Sequence, residues 1–156
     1  MFTVGVDDLL QRALGPVDEI ELPDVGDHVE AGEPLFSLRH GSRTLDVGSP
    51  VAGTVLETNP ELLDSPTTIN RSPYADGWAA RLAADDVKAS LRSLRSGRES
   101  RRWFRGEVDR LVGQVSAGRA GAMTLSDGGA VVPSLHDEID AETWDRLAFS
   151  MFGRRG

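Results

Sequence analysis

Apolar and acidic residues alternate through Val17-Asp18-Glu19-Ile20-Glu21-Leu22. A period of two places one set of side chains on a buried face and the other in water, so residues 17–22 are predicted as a strand. The same reasoning predicts short strands at 2–6, at Val29, at 35–38, at 53–58 and at 78–82. Turn signals separate them: Pro23-Asp24-Val25-Gly26-Asp27, Ala31-Gly32-Glu33-Pro34 and Pro50-Val51-Ala52-Gly53. Residues 7–15 read as a short helix with two acids in its first turn and Gly15 as its stop. Residues 59–78 carry Pro60, Pro66 and Pro73 and read as a long loop, with Tyr74 and Trp78 expected to pin it to the sheet. Short strands with a turn about every 8–12 residues predict a small β sandwich or barrel over residues 1–84.

From Asp85 the period changes. Val87, Leu91 and Leu94 fall on one helical face, and Val108, Leu111, Val112 and Val115 form a second stripe with Trp103 and Phe104 before it. Ala117–Gly121 is a linker. Residues 123–132 read as a hairpin turning at Asp127-Gly128-Gly129. Asp140 can cap a last helix whose face is Trp144, Leu147, Ala148, Met151 and Phe152. Three parts follow: a β module (1–84), an Arg-rich helical segment (85–117), and a tail of hairpin and amphipathic helix (118–156).

Charge sharpens this division. The net charge of −8 is segregated: −11 over residues 1–87, +6 over 88–120 and −3 over 121–156. The basic segment is therefore expected to meet the acidic module or an acidic partner. Arginines interleaved with Trp103 and Phe104 also resemble a nucleic-acid contact, but the overall acidity disfavours a polyanion. With no cysteine, the chain has no disulfide, thiol nucleophile or Cys-based metal site. His28, His40 and His136 are scattered, so no metal site is predicted. No apolar run approaches the roughly 18 residues of a membrane span, and the N-terminus does not read as a signal peptide, so a cytoplasmic protein is expected.

Several blocks then resemble one family. Glu21-Leu22-Pro23-Asp24-Val25-Gly26-Asp27, Ala31-Gly32-Glu33-Pro34, Pro50-Val51-Ala52-Gly53 and Leu63-Asp64-Ser65-Pro66…Ile69-Asn70…Pro73-Tyr74…Gly77-Trp78 occur in the order and spacing of the glycine cleavage system H protein. The resemblance covers residues 2–95, entering the family pattern after its first strand. It implies an α+β, mainly β fold: a lipoyl/biotinyl-type barrel-sandwich hybrid with helical decorations, here followed by a C-terminal helix-hairpin-helix extension. It also implies a carrier, not an enzyme, whose lipoyl arm sits on a hairpin-tip lysine and shuttles an aminomethyl group between partner enzymes.

Counting back from Pro50, the family's Glu-Ser-Val-Lys-Ala tip falls on Arg39-His40-Gly41-Ser42-Arg43. The acceptor lysine becomes Ser42 and its acidic neighbour becomes Arg39. Lipoyl amide formation needs a neutral amine as nucleophile. Arg43 stays protonated, and a serine would give an ester. Lys88 is the chain's one lysine, and it lies at a predicted helix start. The expectation is thus a module with no cofactor and no catalytic residue. Its tip contact would be Arg39, His40, Ser42 and Arg43, and Arg98, Arg102, Trp103, Trp144 and Phe152 would dock a protein partner or a second copy of the chain. Glycine-cleavage or lipoyl-pathway enzymes are the partners the resemblance implies. The alternatives are a carrier with an unconventional anchor and an Arg-helix nucleic-acid adaptor.

Overall fold

The structure, a computed structural model, describes residues 1–7, 10–11, 14–94 and the single positions 106 and 113. Among the described residues seven strands form two antiparallel sheets, accompanied by three short helices besides the helical residues Leu10, Gln11 and Leu14. The strands are β1 (Phe2–Val4), β2 (Glu19–Glu21), β3 (His28–Val29), β4 (Pro34–His40), β5 (Arg43–Gly48), β6 (Gly53–Thr58) and β7 (Ala80–Ala84). The helices are α1 (Glu61–Asp64), α2 (Thr68–Arg71) and α3 (Val87–Ser93). One sheet has the order β1-β7-β6-β3 and the other β2-β4-β5. This two-sheet, mainly β architecture agrees with the barrel-sandwich expectation. The expected C-terminal helix-hairpin-helix extension lies outside the described residues.

The alternation read from the sequence is what builds the interior. Ile20, Leu38 and Leu45 are buried from the three-stranded sheet, and Val4, Val55 and Leu82 from the four-stranded one. Connections supply the rest: Leu14, Val17, Val51, Leu62 and Ile69 are all fully buried. The chain passes from one sheet to the other between β5 and β6. Here buried Ser49 donates its hydroxyl to the Val51 carbonyl (2.6 Å), while its backbone bonds Gly32 and Glu33. A buried turn must satisfy its own polar groups, and this one does so locally.

The predicted helix at 7–15 is present at its described residues. Leu10, Gln11 and Leu14 are helical, and Asp7 Oδ1 accepts the Leu10 amide at 2.9 Å as an N-cap. Gly15 ends it with φ 92°.

Residues 59–78 differ from expectation in two ways. They contain α1 and α2, single turns too short to show a period, each burying one apolar residue, Leu62 and Ile69. And Tyr74, expected to pin the loop, is 76% exposed. Two asparagine amides hold the loop. Asn59 Nδ2 donates to the Asp76 and Trp78 carbonyls at 2.7 and 2.9 Å. Asn70 Oδ1 accepts the Val17 amide at 2.9 Å, and its Nδ2 donates to the Gly15 carbonyl at 3.1 Å. Asn70→Ala strands two backbone groups at the edge of the core. It is expected to cost about 1–3 kcal/mol, read as a lowered urea midpoint at unchanged m-value.

The last described helix corrects a second expectation. Asp86 caps α3 by accepting the Lys88 and Ala89 amides. However, the face turned inward carries Ser90, with half-buried Leu94 packed on the core. Of the three residues predicted on one helical face, Val87 and Leu91 are exposed and Leu94 alone packs on the core.

A hydrogen bond between His28 Nε2 and Asp85 Oδ2 (2.9 Å) ties β3 to the entry of this helix. The bond, then the charges of Asp85, Glu30 and Glu33, raise the His28 pKa above its usual value near 6.5. A raised histidine pKa stabilises the fold fully below the unfolded value, and the contribution is lost as pH rises through the folded one. His28→Gln should therefore narrow the stability gap between mildly acidic and alkaline pH. Asp85→Asn should lower the His28 titration midpoint measured by NMR.

Candidate functional site: the β4–β5 hairpin tip

The tip is tighter than the sequence predicts. Arg39 pairs with Thr44 and His40 with Arg43, so both strands run into the predicted five-residue tip. Only Gly41 and Ser42 remain as the turn. Gly41 has φ 57°, the left-handed conformation that a two-residue hairpin turn requires at its first position. Ser42 is exposed at the apex, and Arg43 is half-buried.

The tip is braced from β2. Asp18 Oδ2 accepts the Gly41 amide at 2.7 Å and lies 3.5 Å from His40 Nδ1. The Asp18 amide in turn donates to the Arg39 carbonyl at 2.8 Å. One strand position further, Glu19 faces Arg39 directly in the register, and their side chains form an ion pair. Four predicted tip residues, Arg39, His40, Ser42 and Arg43, thus share one end of the molecule. Their basic character is smaller than predicted, because Asp18 and Glu19 stand against His40 and Arg39. Sequence reading missed these two acids; the outward Asp-Glu of the 17–22 alternation was the available signal. The predicted docking residues Arg98, Arg102, Trp103, Trp144 and Phe152 lie outside the described residues.

The apex is chemically sparse. A serine hydroxyl and arginine guanidinium groups offer no amine to acylate, so these residues do not fit a lipoyl amide. Among the described residues no cluster of three or more His, Asp or Glu side chains could hold a metal ion. No described helix is long and apolar enough to cross a membrane. A separate open cleft of about 350 Å³ lies between the end of β1 and the 73–78 loop, lined by Thr3, Gly5, Asp7, Tyr74 and Trp78 among others. No tip residue lines it.

Comparison with known proteins bears on the scaffold that carries this tip. A family model described as "Glycine cleavage H-protein" matches residues 1–106. The chain belongs to the glycine cleavage H-protein family. Curated H-protein family members are similar over part of the chain. One is a "Glycine cleavage system H protein" of Coxiella burnetii (strain Dugway 5J108-111). It is 42% identical over 87 residues, which is 56% of this chain and 67% of that relative. Another, of Aliivibrio fischeri (strain MJ11), is 44% identical over 92 residues, covering 59% and 72%. A crystal structure of a glycine cleavage system H protein from Mycobacterium marinum superposes with a TM-score of 0.51 at 31% identity. That match covers 53% of this chain and 65% of the solved one, so this chain spans a little under two thirds of its length.

Proposed function

We propose that this chain is a non-lipoylated H-protein family member that acts by binding, as a scaffold, decoy or regulatory module, and catalyses nothing itself. One observation supports the reading: the apex of the β4–β5 hairpin is the exposed Ser42, the position on which the count back from Pro50 sets the family's acceptor lysine. The turn remains well formed around it. Gly41 supplies the backbone conformation, and Asp18 fixes the turn amide. A braced turn without an acceptor amine is suited to contact and not to carriage. Its contact set is Arg39, His40, Ser42 and Arg43. The β module (1–84) presents this tip, while the Arg-rich segment (85–117) and tail (118–156) extend the binding surface through Arg98, Arg102, Trp103, Trp144 and Phe152. Its partners are proteins, with enzymes that handle lipoylated H proteins the first class to test, in the cytoplasm.

A second reading is favoured by the names of the relatives: a carrier in glycine cleavage with an unconventional anchor. The anchor would have to be Lys88, the chain's one side-chain amine. Lys88 is exposed, but it sits in the first turn of α3 and not on a strand turn.

Expression of the full chain with a lipoate ligase and lipoate, followed by intact mass, separates the two. The unmodified mass is expected. A lipoyl increment on any residue overturns the first reading, and an increment mapping to Lys88 establishes the second.

A further inference from the structure

We infer that the outward face of α3 is the docking surface for the chain's own acidic segment, residues 137–152. Helix α3 meets the β module through Ser90 and Leu94. Next to that contact the helix shows Val87, 49% exposed, and Leu91, 61% exposed. These two are four residues apart and so lie one above the other. Lys88 and Arg92, also four apart and both exposed, run beside them. The result is a short apolar stripe edged by two cations. The module leaves it uncovered, since Val87 and Leu91 stay exposed beside the Ser90–Leu94 contact.

Charge selects the occupant. Residues 137–152 repeat Trp144, Leu147, Ala148, Met151 and Phe152 at helical spacing, an apolar stripe that also needs a cover. The same segment carries Asp137, Glu138, Asp140, Glu142 and Asp145 against a single cation, Arg146. Apolar stripe would meet apolar stripe, and carboxylates would meet Lys88 and Arg92. The intervening residues 95–120 hold seven arginines and three acids, so they would bring like charge to the α3 edge. The 42 residues between Leu94 and Asp137 are ample to let the segment fold back. Trp144 and Phe152 are then covered in the free chain and reach a protein partner only when it displaces the segment, against the effective concentration that the tether supplies.

The absence of cysteine makes the test clean, since any engineered pair holds the only two thiols. The full chain carrying Leu91→Cys and Ala148→Cys is oxidised at low concentration. A control carries Leu63→Cys, at another exposed apolar position, with the same Ala148→Cys. The first pair is expected to close an intrachain disulfide at least about tenfold faster than the control. Adding Lys88→Glu and Arg92→Glu should slow that closure several-fold, and raised salt should do the same. Equal rates for the two pairs overturn the inference, as does closure indifferent to the charge reversal. Predominance of disulfide-linked dimers also overturns it, by assigning the face to a second copy of the chain.

Discussion

Gly53→Ala is expected to destabilise the module by about 3 kcal/mol, the upper end of the ordinary range for forced overpacking. A β-carbon at Gly53 would stand 2.3 Å from the Ala83 carbonyl oxygen and 2.9 Å from Ala84 Cα. Both neighbours are backbone, so no side chain can swing aside. The only relief is to part β6 from β7, whose register begins at the pairing of Gly53 with Ala84. That ladder carries Val55 and Leu82, both fully buried and packed in the one core cluster. Displacing it therefore loosens the interior as well as two hydrogen-bonded strands. Urea denaturation should show the midpoint falling by about 1 M or more at similar m-value. Gly106→Ala is the matched control: nothing lies within 4 Å of its added β-carbon, so its midpoint should hold or rise slightly. A Gly53→Ala midpoint equal to the wild type would mean that the β6–β7 contact is looser than described.

The strand pattern was legible because alternation and turn residues are local signals. Ile20, Leu38 and Val55 sit where a period of two buries them, and Gly15 stops the helix that its position predicts. What was not legible depended on partners distant in the chain. Asp18 braces Gly41, 23 residues away, and this follows only from the pairing of β2 with β4. Helices α1 and α2 are four residues each, a length at which no helical period can be recognised. The stripe of α3 shows the limit of periodicity from the other side. Spacing grouped Val87, Leu91 and Leu94 along one arc, but spacing cannot say which edge of that arc meets the module; Ser90 and Leu94 sit against the core and Val87 and Leu91 beside them stay exposed. The tip residues themselves were found by counting back from Pro50. The turn proved smaller than that count implies, because Gly41 allowed the strands to pair as far as His40 and Arg43.

Placing an amine at the apex should permit modification. Ser42→Lys, expressed with lipoate ligase and lipoate, is expected to change from unmodified to lipoylated, an all-or-none shift in intact mass. Ser42 is exposed and outside the core, so a lysine there meets no packing cost, and its four-carbon stem carries the ammonium clear of the turn. Gly41 and Asp18 would hold the turn unchanged. The arginine three residues earlier decides how complete the change is. By the count back from Pro50, Arg39 falls on the acid of the tip pattern that the resemblance implies, and directly across the sheet from it stands Glu19. Arg39→Glu alone would set two carboxylates opposite one another and loosen the hairpin. Exchanging the pair, as Arg39→Glu with Glu19→Arg, would restore both the attraction and the acid beside the new lysine. Modification should therefore rank lowest in Ser42→Lys with Arg39→Glu, and at least as high in the exchanged pair as in Ser42→Lys alone. If Ser42→Lys stays unmodified while its hairpin amides remain protected from hydrogen exchange, the barrier lies in the arginines flanking the apex. If protection is lost as well, Ser42 is needed to hold the turn, and the apex has a structural role beyond the missing amine.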